Sequence, residues 1–249
     1  MARDLLDLLW RDSPHAATGG RRGPRARVGV GDLVARAIAL ADAGGLGAVS
    51  VRALAEALGM TPMSIYTHVD SRDDLLVLMA DHVHAAMPAT AFGAAGWRVR
   101  LRRVADDNLA LLGKHAWMLD VTDPRTALGP GTIAKYDREL RVFDGTALGD
   151  VDRDAALTLV LDFTRAAARR MAEKNAAGEF AEIWEHAAGR LATYLGEDFP
   201  LAQRVGGAAG AAMGAPADAD AAWRFGLERL IDGLAPLIDP APTPGVASA

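Results

Sequence analysis

The chain has 249 residues, with 27 lysines and arginines against 32 aspartates and glutamates, a formal net charge of −5, and no cysteine. That length suffices for one large core or two smaller ones, and the missing cysteine removes disulfides, thiolate catalysis and cysteine-ligated zinc. The charge balance opposes binding of polyanions by the whole surface, yet it leaves a single DNA-binding patch open.

Met1 to Trp10 carries a cluster of Leu5, Leu6, Leu8, Leu9 and Trp10, too brief for an independent helix. From Arg11 to Gly31 proline, glycine, serine and arginine take over, too poor in apolar residues to order themselves. Arg21, Arg22, Arg25 and Arg27 concentrate positive charge there. The segment reads either as a solvated linker or as an arm in which Arg25 and Arg27 lie along phosphates or in the minor groove of DNA. Lysine is scarce and arginine does most of the cationic work, so arginine number alone carries little weight. Asp32 then starts a helix to about Ala43, with Val34, Ile38 and Ala41 on one face and Gly44 and Gly45 at its end.

Ser50 to Val69, SVRALAEALGMTPMSIYTHV, reads as two short helices joined by a glycine turn. Ser50 caps the first, whose Leu54, Ala55 and Leu58 face inward. Gly59 supplies the positive φ of the turn, Thr61 caps the second helix, and Pro62 takes its first position. Ile65 and Val69 pack back on the first helix, leaving Met63, Ser64, Tyr66, Thr67 and His68 for another surface. This is helix-turn-helix spacing, and taken without its flanks it also fits an ordinary helical hairpin. Ser71 and Asp74 have capping-box spacing before a fourth helix, Arg72 to Met87, which carries Leu75, Leu76, Leu78, Met79, His82 and Val83. Pro88 ends it.

The run from Val34 to Met87 resembles the N-terminal domain of TetR-family (tetracycline-repressor-like) regulators. The resemblance rests on a helix, Gly-Leu-x-x-x-Ser, Arg-x-Leu-Ala, Leu-Gly, Tyr-x-His and a Leu-Leu helix in that order.

From Gly96 on, a second helical domain is expected. One helix holds Trp97, Leu101, Val104 and Leu109 to Leu112, and after breaks at Pro124, Gly129 and Pro130 another runs from Thr132 to Phe143. Asp150 to Lys174 forms a long helix with a stripe of Leu157, Val160, Leu161, Thr164, Ala168 and Met171. Glu179 to Leu195 is a further amphipathic helix containing Trp184. Gly206 to Pro216 reads as a mobile loop, Asp218 to Ile238 as the last helix, and the tail beyond Asp239 as disordered. FGLERLIDGLAPLI and the Trp97 region resemble the C-terminal domain of the tetracycline-repressor branch. The expected organisation is all-α: an extension with a basic arm over 1–31, a DNA-binding domain over 32–88, a ligand-binding and dimerisation domain over 89–239, and a tail over 240–249.

The resemblance implies a homodimer whose two recognition helices lie about 34–36 Å apart and read a pseudo-palindromic double-stranded operator. It implies that Met63, Ser64 and Thr67 face base edges and that Arg52 pairs with a guanine. Tyr66, His68 and Arg72 would hold phosphates, although packing for Tyr66 and an ordinary surface role for His68 stay open. The fourth helix is the expected lever by which a small-molecule effector releases a repressor, a coupling of about 1–3 kcal/mol, or 5- to 150-fold. Trp97, Asn108, Trp117, Met118, Tyr136, Phe163, Arg165 and Trp184 are the candidates for an apolar pocket with polar anchors. Pro88, Val104 and Leu119 stand where tetracycline repressors carry polar pocket residues and cannot chelate a metal–drug complex, so tetracycline is not expected as the effector.

A ligand-independent or protein-controlled regulator, including an activator, is the alternative. Enzymatic readings are weaker: Glu182, Glu185 and His186 lack the repeated pattern of di-iron bundles, and His82 and His84, beside Asp81, diverge on a helix. No cofactor or metal is expected. No apolar run reaches membrane-spanning length and the N-terminus lacks the basic start, apolar core and small-residue cleavage site of a signal peptide, so a cytoplasmic location with no membrane partner is expected.

Overall fold

The computed structural model describes residues 4–15, 28–88, 91–173, 183, 186–187, 189–213 and 218–239. Arg25 and Arg27 with the rest of the basic arm, Trp184, Glu182, Glu185 and the tail from residue 240 lie outside the described residues, as does most of the first half of the helix expected at 179–195. Among the described residues all regular structure is helical, and no helix is long and apolar enough to cross a membrane.

The chain divides by compactness into Met1–Gly145 and Thr146–Ala249. The first unit contains α1 (Leu5–Leu9), α2 (Val30–Gly44), α3 (Val51–Leu58), α4 (Pro62–Ile65), α5 (Arg72–Ala86), α6 (Trp97–Lys114) and α7 (Pro130–Leu140). Short 3-10 turns at Leu46–Ala48, Ala116–Asp120, Pro124–Leu128 and Arg141–Phe143 link them.

α2 begins earlier than its sequence suggests. Gly29 is the cap residue, and Asp32 lies in the first turn, where its carboxylate accepts the Gly29 N–H at 2.8 Å. Leu33, Val34, Ala37, Ile38 and Ala41 form its inner face. α5 is buried over an unbroken run from Leu75 to Asp81 and again at Val83, the pattern of a helix enclosed on all sides. His82 is exposed, whereas Asp81 is inside. The first-turn amides of α7, which have no acceptor within the helix, meet it there, and Asp81 accepts the Thr132 N–H at 2.8 Å and the Thr132 hydroxyl at 3.2 Å. Gly129 and Gly131 allow this approach, since a Cβ on either would overlap Asp81.

Residues 4–15, placed by sequence in a flexible extension, are docked. Leu8 and Leu9 are buried, α1 packs on α5, and the Trp10 indole donates to the Leu128 carbonyl at 2.9 Å. The segment is too short to fold alone, and tertiary contact supplies what its length cannot.

The second unit contains α8 (Asp150–Ala172), α9 (Pro200–Met213) and α10 (Ala219–Ile238). α8 and α10 pack together, burying Leu157, Val160, Thr164 and Ala168 on one and Trp223, Leu227, Ile231, Leu234 and Ile238 on the other. The expected loop at Gly206–Pro216 is corrected as far as residue 213: that stretch is the second half of α9. Alanines between the glycines restore helix propensity at most positions, which outweighs the roughly 1 kcal/mol cost of each glycine.

Candidate nucleic-acid interface

The α3–α4 motif is fixed by local chemistry. Ser50 accepts the Ala53 N–H at 3.1 Å and caps α3. At the other end Gly59 adopts φ 63°, ψ 36°, and the Met60 and Gly59 amides return to the Ala55 and Glu56 carbonyls at 2.8 and 3.2 Å. That is the pairing of a Schellman turn, in which glycine takes the left-handed conformation without a Cβ clash. Thr61 Oγ1 accepts the Ser64 N–H at 3.3 Å, with Pro62 at the first position of α4. Past Ile65 the chain tightens: the Thr67 and His68 amides donate three residues back, to the Ser64 and Ile65 carbonyls.

Ile65 and Val69 are buried, at 1% and 3% exposure, and the opposite face is open. Met63 is 75% and Tyr66 51% exposed, so Tyr66 is not packed into the core. Thr67 and Arg52 are also exposed, while Ser64 and His68 are half-buried. Ser64 Oγ lies 2.8 Å from Thr61 Oγ1 and the Thr67 hydroxyl donates to the Ser64 carbonyl at 2.7 Å. The two hydroxyls are therefore held in place and keep acceptor capacity. Exposed Arg72, in the first turn of α5, spends one donor on the Leu46 carbonyl at 3.0 Å, leaving others of its five.

This surface is coupled to the helices behind it at three points. Asp42 of α2 accepts from the Trp117 indole and from His115 Nδ1, each at 2.7 Å. Arg125 bridges Asp74 of α5 at 2.8 Å and Asp123 at 2.7 Å, which holds the Asp123 carboxyl below the usual carboxylate range. His84 Nδ1 meets the Thr132 hydroxyl at 2.9 Å, beside the Asp81 cap. Nothing in the hydrophobic periodicity announces Asp42, Asp81 or Arg125.

The pocket candidates of the first unit sit in different local surroundings. Trp97 is buried, with the Arg98 guanidinium 4.5 Å from its ring centre. Trp117 and Met118 are buried in the turn that reaches Asp42, and Tyr136 is 41% exposed on α7. Asn108 belongs to a buried network: its amide donates to Glu139 at 2.7 Å and to the Val104 carbonyl at 2.8 Å, and Lys135 donates to Glu139 at 2.7 Å. Burial pushes the Lys135 ammonium below the usual lysine range, against the opposing pull of Glu139. In the second unit Arg165 is half-buried on α8 and Phe163 stacks on Trp223, ring centres 5.4 Å apart.

Among the clefts of the first unit, two border α5 near its C-terminal half. One, of about 280 Å³, lies between Val83 of α5, Met87 just past its end, and Asp107, Leu111, Lys114 and His115 of the α6 side. The other, of about 450 Å³, lies between the N-terminal segment, α5 and α7. Pro88, which stands at a pocket position of tetracycline repressors, lines the first, while Trp97, Asn108, Trp117, Met118 and Tyr136 line neither. Asp81, His82 and His84 do not converge, and among the described residues no three metal-ligating side chains come together.

Comparison with known proteins bears on both halves. Residues 33–79 match the family described as bacterial regulatory proteins, tetR family, and residues 88–238 match the tetracyclin repressor-like C-terminal domain. The chain is 31% identical over 242 residues to the HTH-type transcriptional repressor DrrR1 of Streptomyces coeruleorubidus, spanning 94% of this chain and 85% of the relative. Among solved structures, the TetR family protein ActR of Streptomyces coelicolor in complex with actinorhodin superposes with a TM-score of 0.70 at 25% identity, covering 87% of this chain and all of that one. TetR-Q116A of Acinetobacter baumannii with minocycline shares the fold, with a TM-score of 0.59 at 18% identity over 85% and 98% of the two chains.

Proposed function

Because this chain belongs to the TetR family of bacterial transcriptional regulators, we propose that it is a homodimeric repressor that reads a palindromic operator through α3 and α4 and leaves it when a small molecule binds. It is a DNA-binding regulator and not an enzyme, working in the cytoplasm. The observation that carries the DNA reading is the exposed Met63–Tyr66–Thr67 face, presented by two capped helices whose other sides are buried. Met63, Ser64 and Thr67 are assigned to base edges and Arg52 to a guanine. Tyr66, His68 and Arg72 are assigned to phosphates, and Arg25 and Arg27 to the flanking groove.

Dimerisation is assigned to the second unit. Leu159 of α8 and Phe225 and Leu237 of α10 are 45%, 68% and 62% exposed even though α8 and α10 have packed on each other, an apolar surplus that a two-fold partner would cover.

The effector acts by binding the DNA-free form more tightly than the DNA-bound form. Actinorhodin, the molecule bound by the ActR neighbour, is the first compound to titrate against a preformed complex with a selected operator. Release is the expected result. A compound that binds the protein and leaves operator affinity unchanged has equal affinity for both forms and is not the effector. If no compound that binds the protein changes operator affinity, the ligand-independent reading takes over.

A further inference from the structure

We propose that the cleft between the N-terminal segment, α5 and α7 binds a small amphipathic carboxylic acid, with Arg138 as the partner of its carboxylate. The proposal rests on the ligand-responsive reading above and names a site and a ligand class for it. At about 450 Å³ the cleft falls within the roughly 300–1,000 Å³ of sites that hold small organic ligands.

The apolar wall comes from three separate elements: Leu9 and Trp10, Leu78 and Ala85, and Ala134. The charged groups of the cleft differ in how far they are already engaged. Asp81 is committed to the first turn of α7 through Thr132. Arg11 donates to the Leu8 carbonyl at 2.8 Å and lies 3.4 Å from Asp12. Lys135, three residues before Arg138 on α7, is taken up by Glu139. Arg138 itself is half-buried and has no hydrogen-bond or ion-pair partner among the described residues.

A partly desolvated guanidinium beside an apolar wall is an unbalanced charge that an anion relieves. Its planar fork matches the two oxygens of a carboxylate. The wall selects the rest of the molecule: an apolar body gains by leaving water, whereas a compact, strongly hydrated anion gains nothing from Leu9, Trp10 and Leu78. One side of the cleft is the docked segment held by Trp10 on Leu128, and another is α5, which starts directly after the recognition turn. Occupancy therefore bears on the position of α5.

The test titrates 2-naphthoic acid and its uncharged amide, 2-naphthamide, calorimetrically into the full-length protein. Wild type, Arg138→Gln, Arg138→Lys and Ala134→Trp are compared, each with its melting curve. Wild type should bind the acid about 10-fold or more tightly than the amide, the fold-change a charge-assisted hydrogen bond carries. Arg138→Gln should bring the acid down to the level of the amide and leave the amide unchanged, and Arg138→Lys should keep part of the preference. Ala134→Trp, which fills the cleft and keeps the charge, should weaken both. Equal acid binding by wild type and either Arg138→Gln or Ala134→Trp overturns the site, and so does no acid binding up to millimolar concentration. Operator affinity measured on the same samples separates the two readings. Failure of acid binding with selective DNA binding intact overturns only this site, while failure of wild type to bind DNA selectively overturns the regulator reading whatever the acid does.

Discussion

Asp42 and Trp117, 75 positions apart, are joined by a 2.7 Å hydrogen bond from the indole to Oδ1, and the same oxygen accepts from His115. The pair ties the first helix of the DNA-binding head to the turn that follows α6. Trp117 and His115 are buried, at 3% and 8% exposure. Removing the acceptor leaves two donors without a partner, at about 1–3 kcal/mol each. Asp42→Ala should therefore lower the unfolding free energy by about 2–4 kcal/mol, read from urea denaturation. Asn, which still offers one acceptor oxygen, should lose less. Equal stability of wild type and the alanine variant would mean that the tether is not made.

The Lys135–Glu139 pair should behave as a unit. Glu139→Ala alone strands a buried ammonium and should cost about 3–5 kcal/mol. The double variant Lys135→Met/Glu139→Leu removes both charges, leaves Asn108 its bond to Val104, and should recover most of that loss. Additive losses in the double-mutant cycle would contradict the buried pairing.

Asp81 sets a pH dependence of defined sign. Burial raises its carboxyl above the ordinary 3.8, in spite of hydrogen bonds from Thr132 and Gly131. The folded chain then keeps this proton to a higher pH than the unfolded chain. Stability from this site is greatest below the ordinary value and falls as pH rises through the raised one. Asp81→Asn keeps an acceptor for the Thr132 amide and has no proton to lose. Its stability relative to wild type should rise between acid and neutral pH, and a difference that stays constant with pH would refute the assignment.

In the second unit, a Cβ on Gly226 would overlap the Phe163 ring. Gly226→Ala should cost about 1–3 kcal/mol by overpacking and disturb the Phe163–Trp223 stack, visible as a change in near-ultraviolet circular dichroism and a lower melting temperature. An unchanged near-ultraviolet spectrum would show that the rings do not stack.

What was legible in the sequence is what neighbouring residues decide. Ser50, Gly59, Thr61, Pro62 and Ser71 mark helix ends because caps and turns act within three or four positions. The faces of α3, α8 and α10 follow from apolar spacing for the same reason. Asp42 with Trp117, Asp81 with Thr132 and Asn108 with Glu139 were not legible, since each joins residues 31 to 75 positions apart and leaves no periodic trace. Docking of Leu8 and Leu9 was hidden likewise, because the surface that receives them is built by α5. The helix through Gly206 is hidden by its three glycines, although the alanines between them carry the helix propensity.

The central claim is that the α3–α4 face reads DNA in a two-fold complex. Selection of bound sequences from a random DNA pool, run with wild type and Tyr66→Ala side by side, tests it most directly. Wild type should enrich a palindrome with half-sites about one helical turn apart, roughly 34–36 Å. Tyr66→Ala should enrich the same sequence more weakly, with the salt dependence unchanged, because the lost phosphate contact comes from an uncharged phenol. Enrichment of nothing by wild type at low and moderate salt, or an equally strong palindrome from the variant, would contradict the account.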